Sequence, residues 1–400
     1  MTIIIDCSII TQISKKFEVN VMDFTDLKNQ MDKIVNEYKV PGIDCILYKD
    51  HEMLFRYYTG MSDIENNKKM NGNELYFIFS MTKMLTCTSA LQLYEKGKFL
   101  MTDPISKYMP EFETMKVKSD DSDTGYLTAK NPITVKDLFT MSAGFDYDLN
   151  APYFKKAIAE NKTSTRELVG ALSEAVLGFE PGTNFRYSLC HDVLGALIEI
   201  WSGKKLGEYM KENLFEPLGM KETFFGLPKN EEQLSKMAAR YTFDRNKSDL
   251  PLRLQLLCLY NLSDEYQSGG AGLVSCAEDY SLFLDAIACG GVAKNGNRIL
   301  SPATVELMGM NHLKGKQLAE FEIGRPGYGY GLGVRTHIDK SDSNSLTPIG
   351  EFGWDGAASA FSLVDPKNNI SFSYFQHVHN SECMKIQYET KNVLYACLEK

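Results

Sequence analysis

The sequence has no Cys-x-x-Cys pair, no His-Glu-x-x-His and no stretch of the roughly 18 uninterrupted apolar residues that a spanning helix needs. Its nine cysteines, at 7, 45, 87, 190, 258, 276, 289, 383 and 397, are odd in number and widely spaced. Neither a zinc site nor a disulfide framework is therefore expected, and the thiols read as reduced and mostly buried. Histidine is scarce, at six. His377 and His379 alternate along an expected strand, where ordinary half-buried histidines are a simpler reading than a metal pair. Positive charge is in deficit, 43 basic against 52 acidic residues for a net −9, with no long single-sign block. A nucleic-acid binder needs a basic surface to neutralise phosphates, so no nucleic-acid partner is expected. The N-terminus has no positive charge ahead of its apolar residues and Asp6 interrupts them, which makes a poor signal peptide. The expectation is a soluble, cytoplasmic protein without a membrane partner.

What is present is ordinary globular material: 400 residues, 44% hydrophobic and 24% charged, enough for two or three domains. Residues 24–38 place Leu27, Met31, Ile34 and Val35 on one side of a helix that Pro41-Gly42 ends. GIDCILYKD and EMLFRYYTG read as two strands joined at Lys49-Asp50-His51. A helix starts near Ser80 and stops at Gly97. The middle is helix-rich (VKDLFTMSAG, 164–177, HDVLGALIEIWSG, LGEYMKENLFEPLGM), with a polar stretch at 114–130 expected as a solvated loop or small hairpin. After GGAG at 269–272 comes a helix over about 276–290, and Asn295-Gly296 marks a tight turn. From about 328 strands return (YGYGLGVRTH, AASAFSLVD, ISFSYFQHV), and a helix over 381–398 ends the pattern. Strands at both ends with helices between predict an α+β fold. Residues 24–79 and 273–400 would build one antiparallel sheet domain flanked by helices, and 80–272 would form a mainly helical inserted domain. Residues 1–23 would be an N-terminal extension, and a site is expected in the cleft between the two lobes.

The Gly-x-Ser-x-Gly elbow is absent, which argues against an α/β-hydrolase. Ser-x-x-Lys occurs twice, at Ser80–Lys83 and Ser202–Lys205, and chance alone gives about two matches in a chain this long. Ser202 falls in a Ser-Gly turn at a helix end, where a surface lysine is the sensible reading. Ser80 follows the apolar LYFIF and opens an apolar helix, where a serine is either an N-cap or a nucleophile. One turn on, Lys83 shares its face beside Met84 and Leu85, and a lysine held in poor solvent there can accept the serine proton.

Ser80-x-x-Lys83, then Tyr187-Ser188-Leu189 after PGTNFR, then a Gly-rich strand entry near 355 resemble the serine β-lactamase and penicillin-binding-protein superfamily. The likeness runs from about 24 to 395 and includes DPISKYMPEF, ITVKDLFTMSAG, FEPGTNFRYS, LFEPLGM and GGAGLVSCAEDYSLFL. Within it the chain looks most like class C enzymes and family VIII carboxylesterases. Those esterases carry Tyr-Ser-Leu in place of Tyr-x-Asn, and Trp-x-Gly (here Trp354-Asp355-Gly356) in place of Lys-Thr-Gly.

The resemblance implies a β-lactamase/transpeptidase-like fold and a serine hydrolase. Ser80 would be the nucleophile, Lys83 its proton acceptor, and Tyr187 the phenol that assists as base and then protonates the leaving group. The backbone N–H groups of Ser80 and Ala357 would make the oxyanion hole. Leu189, Trp354 and Gly356 would contact substrate, and neither metal nor cofactor is required. Leu189 and Trp354 stand where β-lactamases place an amide and a cation, each contact of that kind being worth about 1.5–3 kcal/mol. Apolar esters are therefore favoured over β-lactams, and the expected activity is a carboxylesterase on small or medium acyl esters. Two alternatives stay open: a β-lactamase or D-amino-acid peptidase with an altered third motif, and a non-catalytic binding or scaffold relative. Asp355 reads as an orienting or solvated turn residue. His191, Cys190 and Cys87 read as structural.

Overall fold

The computed structural model describes residues 22–257 and 260–399. The first of these elements is helix α1 (Thr25–Asn36), which buries Leu27, Met31 and Ile34 as its spacing predicts. Strands β1 (Gly42–Lys49) and β2 (Glu52–Asp63) then pair antiparallel across a two-residue turn in which Asp50 and His51 both take left-handed backbone angles. A short β3 (Lys68–Lys69) pairs with β2. The chain returns to the same sheet only after the helical middle, through β4 (Tyr328–Tyr330), β5 (Arg335–His337), β6 (Phe352–Gly353), β7 (Phe361–Asp365) and β8 (Ile370–Phe375).

The strand order is β4-β5-β6-β7-β8-β1-β2-β3, antiparallel throughout, with β8 against β1 closing the long connection. The run expected as one strand, YGYGLGVRTH, is a hairpin, because its glycines turn the chain at 331–334.

β1 is apolar along nearly its whole length because both of its faces are covered. Ile43, Cys45 and Leu47 join α1 and the last helix, α5 (Cys383–Leu398), in one core. Ile46 and Tyr48 belong to the other core, shared with α4 (Ala277–Ala288). The middle of the chain centres on α2 (Thr82–Glu95) and α3 (Cys190–Ser202), which pack on each other. Residues 116–128 form the expected small hairpin. The seven described cysteines are free; five are buried, Cys289 is half-buried and Cys383 exposed. Among the described residues no helix is long and apolar enough to cross a membrane. The expected extension, residues 1–23, lies almost wholly outside the described residues.

Candidate active site

Ser80 sits in a single 3-10 turn, Phe79–Met81, that leads into α2. The turn is anchored by Tyr76–Phe77, which pairs with Leu273–Ser275, so the residues just after GGAG lie beside the serine. Phe79 takes φ +45°, a left-handed angle that costs a bulky residue roughly 1 kcal/mol or more. It is held there by the rings of Phe77, Tyr260 and His379. Ser80 does not cap the helix: the N-cap is Met81, which has no side-chain cap bond. The hydroxyl instead accepts a hydrogen bond from Lys83 Nζ at 3.2 Å.

α2 is buried on every side from Thr82 through Leu93, polar residues included, and carries Lys83 with it, fully inaccessible to solvent. Nζ also donates to the Gly270 carbonyl at 2.6 Å and lies 3.5 Å from the Tyr147 hydroxyl. It lies 4.6 Å from the centre of the Tyr187 ring. Tyr147 and Tyr187 are stacked, with centroids 5.6 Å apart. The sequence led us to expect serine, lysine and the Tyr187 phenol to converge. The structure brings Ser80, Lys83 and the Tyr187 ring together, but the phenol that the lysine bonds is Tyr147. Burial, with Asp192 and the neighbouring tyrosines, pushes the Tyr147 phenol well above the ordinary range. The Tyr187 oxygen accepts the indole N–H of Trp354 at 3.3 Å, and the two rings stack. Trp354 thus supplies a neutral donor as well as apolar surface.

A cavity of about 840 Å³ opens on Ser80. Its wall is aromatic, with Tyr147, Phe185, Tyr187, Tyr260, Phe321 and Trp354, and Gly356 and Ala357 complete it on the sheet side. A Cβ on Gly356 would stand 2.6 Å from the Ile78 carbonyl, so only glycine lets this β6–β7 connection approach the serine turn. That approach brings Ala357 to the same cavity wall as Ser80.

Leu189 corrects the expectation of a substrate contact. It is 1% exposed and packs in the core at the start of α3, because the helix turns it inward. Asp355 orients its surroundings, accepting from Arg325 at 2.5 Å, Gln387 at 2.8 Å and Arg335 at 3.3 Å. Burial alone would raise its pKa, but the guanidiniums of Arg325 and Arg335, with Lys391, hold it down at about 2. His191 is buried against Cys87 and the Phe139 carbonyl, and burial followed by the Lys83 charge lowers it to about 3. It is a neutral structural histidine. Burial likewise raises the thiols of Cys87 and Cys190, which are core residues. The expected strand breaks at 376–377, between β8 and the short strand Val378–His379, and His377 in that break bonds the Ala238 carbonyl and packs against Tyr76, Phe77 and Phe79 as a structural histidine.

Four residues of this surround escaped sequence reasoning. Tyr147 and Tyr260 lie in no motif. Asp192, a buried carboxylate bonded by Tyr266 and Ser268, carried no signal beyond its place in an apolar helix. Gly270 did carry one: a Cβ there would lie 2.5 Å from Asp192 Oδ2, so GGAG marks a close approach that lets its carbonyl reach the lysine.

Comparison with known proteins agrees with this geometry. The family model described as Beta-lactamase matches residues 27–387. Protein Rv1367c of Mycobacterium tuberculosis is 28% identical over 354 residues, covering 84% of this chain and 86% of its own length. Esterase EstB of Burkholderia gladioli is 25% identical over 361 residues, covering 85% and 86%. The solved structure of EstCE1, titled a hydrolase with promiscuous acyltransferase activity, superposes with a TM-score of 0.76 at 23% identity, covering 92% of this chain and 97% of that one. The chain belongs to the beta-lactamase family and is a serine hydrolase built on its α+β, transpeptidase-like fold.

Proposed function

We propose that the protein is a carboxylesterase for small or medium acyl esters, working through an acyl-enzyme on Ser80. The observation that carries this is the buried Lys83 Nζ 3.2 Å from the Ser80 hydroxyl, at the floor of an aromatic cavity. Ser80 Oγ attacks the ester carbonyl carbon as Lys83, acting as the neutral amine, takes its proton. The oxyanion is received by the backbone N–H groups of Ser80 and Ala357, a contribution often worth about 3 kcal/mol per donor. Collapse expels the alkoxide, which the Tyr187 phenol protonates, and water then attacks the acyl-enzyme along the reverse proton path. Tyr147, bonded to Lys83, acts as a positioning residue. The sheet residues 24–79 with 273–400 and the helical residues 80–272 would form the two lobes, since Trp354–Ala357 comes from the first and Ser80, Tyr147 and Tyr187 from the second.

Two features favour esters over β-lactams. The walls are mainly aromatic, and the Arg325 guanidinium in the wall is met by Asp355 rather than free for a substrate carboxylate. The test compares kcat/KM for p-nitrophenyl butyrate and a cephalosporin. An ester rate at least a hundredfold higher supports the reading, and an equal or lower ester rate replaces it with a β-lactamase or peptidase.

A further inference from the structure

A second cluster of chemistry-bearing side chains lies where the β1–β2 turn meets the end of α4. His51 Nδ1 stands 2.7 Å from Asp285 Oδ2, and Cys289 Sγ lies 3.9 Å from Asp285 Oδ1. The three donor atoms fall within 4.8 Å of one another. We propose that His51, Asp285 and Cys289 form a site for a borderline-soft divalent metal ion, zinc by preference, with solvent as the fourth ligand.

Tetrahedral zinc with ligand bonds of about 2.0–2.3 Å has donor–donor edges of roughly 3.3–3.8 Å. The cluster lies within about 1 Å of those edges, so binding needs only side-chain adjustment. One imidazole nitrogen, one carboxylate and one thiolate suit zinc, whereas a sulfur ligand disfavours magnesium and calcium.

The backbone presents these donors firmly. Asp285 and Cys289 are one helical turn apart on one face. The helix end below them is closed by Cys289 N–H to the Asp285 carbonyl at 2.9 Å, Gly290 N–H to Ile287 at 3.1 Å and Gly291 N–H to Ala286 at 2.8 Å. His51 takes φ +66° in its two-residue turn, an angle glycine adopts without cost, yet a histidine stands there with its ring on Asp285. A cavity of about 480 Å³ lined by Tyr48, His51, Asp285 and Lys294 leaves one side open for a water ligand. On binding, Cys289 gives up its thiol proton and His51 Nδ1 exchanges its hydrogen bond to Asp285 for the metal. No spacing motif announces the set, because His51 and Asp285 are 234 residues apart.

The test titrates the metal-stripped full chain with Co²⁺ and then displaces it with Zn²⁺. One equivalent should bind and give a thiolate-to-cobalt charge-transfer band in the near ultraviolet that Zn²⁺ removes. Cys289→Ser should abolish the band, His51→Ala should weaken binding at least tenfold, and Cys383→Ser, at an exposed thiol elsewhere, should change neither. Zn²⁺ should raise the thermal midpoint of the wild type and not that of Cys289→Ser. Absence of saturable one-equivalent binding by the folded wild type overturns the proposal. So does a band that persists in Cys289→Ser, or binding without any thiolate band.

Discussion

The chain contains the same four-residue spacing twice, and the two copies have opposite fates. At Ser202–Lys205 the serine ends α3, Gly203 takes the left-handed C-cap, and the Ser202 hydroxyl bonds the backbone of Lys204. Lys205 extends into solvent, its side chain 60% exposed and 3.9 Å from Glu265. At Ser80–Lys83 the serine precedes a helix rather than ending one, so the lysine folds back under it and is buried against Ser80, Gly270 and Tyr147. Spacing alone carries no chemistry. What distinguishes the two copies is helical register after the serine, a helix buried on every side, and a glycine carbonyl placed to receive the lysine Nζ.

That contrast can be broken or sharpened by paired substitutions. Ser80→Ala should remove ester hydrolysis, at least ~10⁴-fold in kcat, whereas Ser202→Ala should leave it within twofold. Lys83→Met should cost about 10²–10⁴-fold in kcat/KM, the usual range for a proton acceptor, against no change for Lys205→Met. Stopped assays on p-nitrophenyl butyrate read both pairs. If Lys205→Met were as damaging as Lys83→Met, burial would not be the distinguishing property.

The two stacked phenols make the next comparison. Tyr187→Phe should lower kcat by about 10²-fold with little change in KM, because it removes the proton given to the leaving group. Tyr147→Phe should cost roughly tenfold and shift the pH–rate profile, since its partner is Lys83. A reversed order in those kcat values would exchange the two roles.

The smallest expected effect concerns stability. The Asp355 carboxyl is held at about 2, below its ordinary 3.8. The folded state therefore binds fewer protons than the unfolded one between these values. The stabilisation, on the order of 2 kcal/mol, is fully present above about pH 4 and is lost as pH falls through about 2. Asp355→Asn should lower the denaturation free energy at pH 7, and the deficit should shrink toward pH 2. A deficit independent of pH would mean that shape, not charge, holds Arg325 and Arg335.

Much of the fold was legible because its signals are local and strong. The spacing of Leu27, Met31 and Ile34, the Asp50-His51 turn and the apolar alternation around 361–375 each specify an element within a dozen residues. The candidate site was legible where a motif named residues that the structure brings together at the cavity, namely Ser80, Lys83, Tyr187 and Trp354-x-Gly356. Leu189 misled because the direction of a side chain at a helix start depends on the packing of α3, which no triplet encodes. Tyr147 was invisible for a related reason: its bond to Lys83 spans 64 residues and depends on two separate segments stacking their rings. The His51–Asp285–Cys289 cluster is the extreme case, created entirely by where a turn and a helix end meet.

The most direct test of an activated serine at this site is intact-protein mass after incubation with a fluorophosphonate, run on wild type, Ser80→Ala and Ser202→Ala. The expected result is one adduct on wild type and Ser202→Ala and none on Ser80→Ala. An unlabelled but folded wild type, or an adduct that survives Ser80→Ala, would contradict the assignment of Ser80 as the nucleophile.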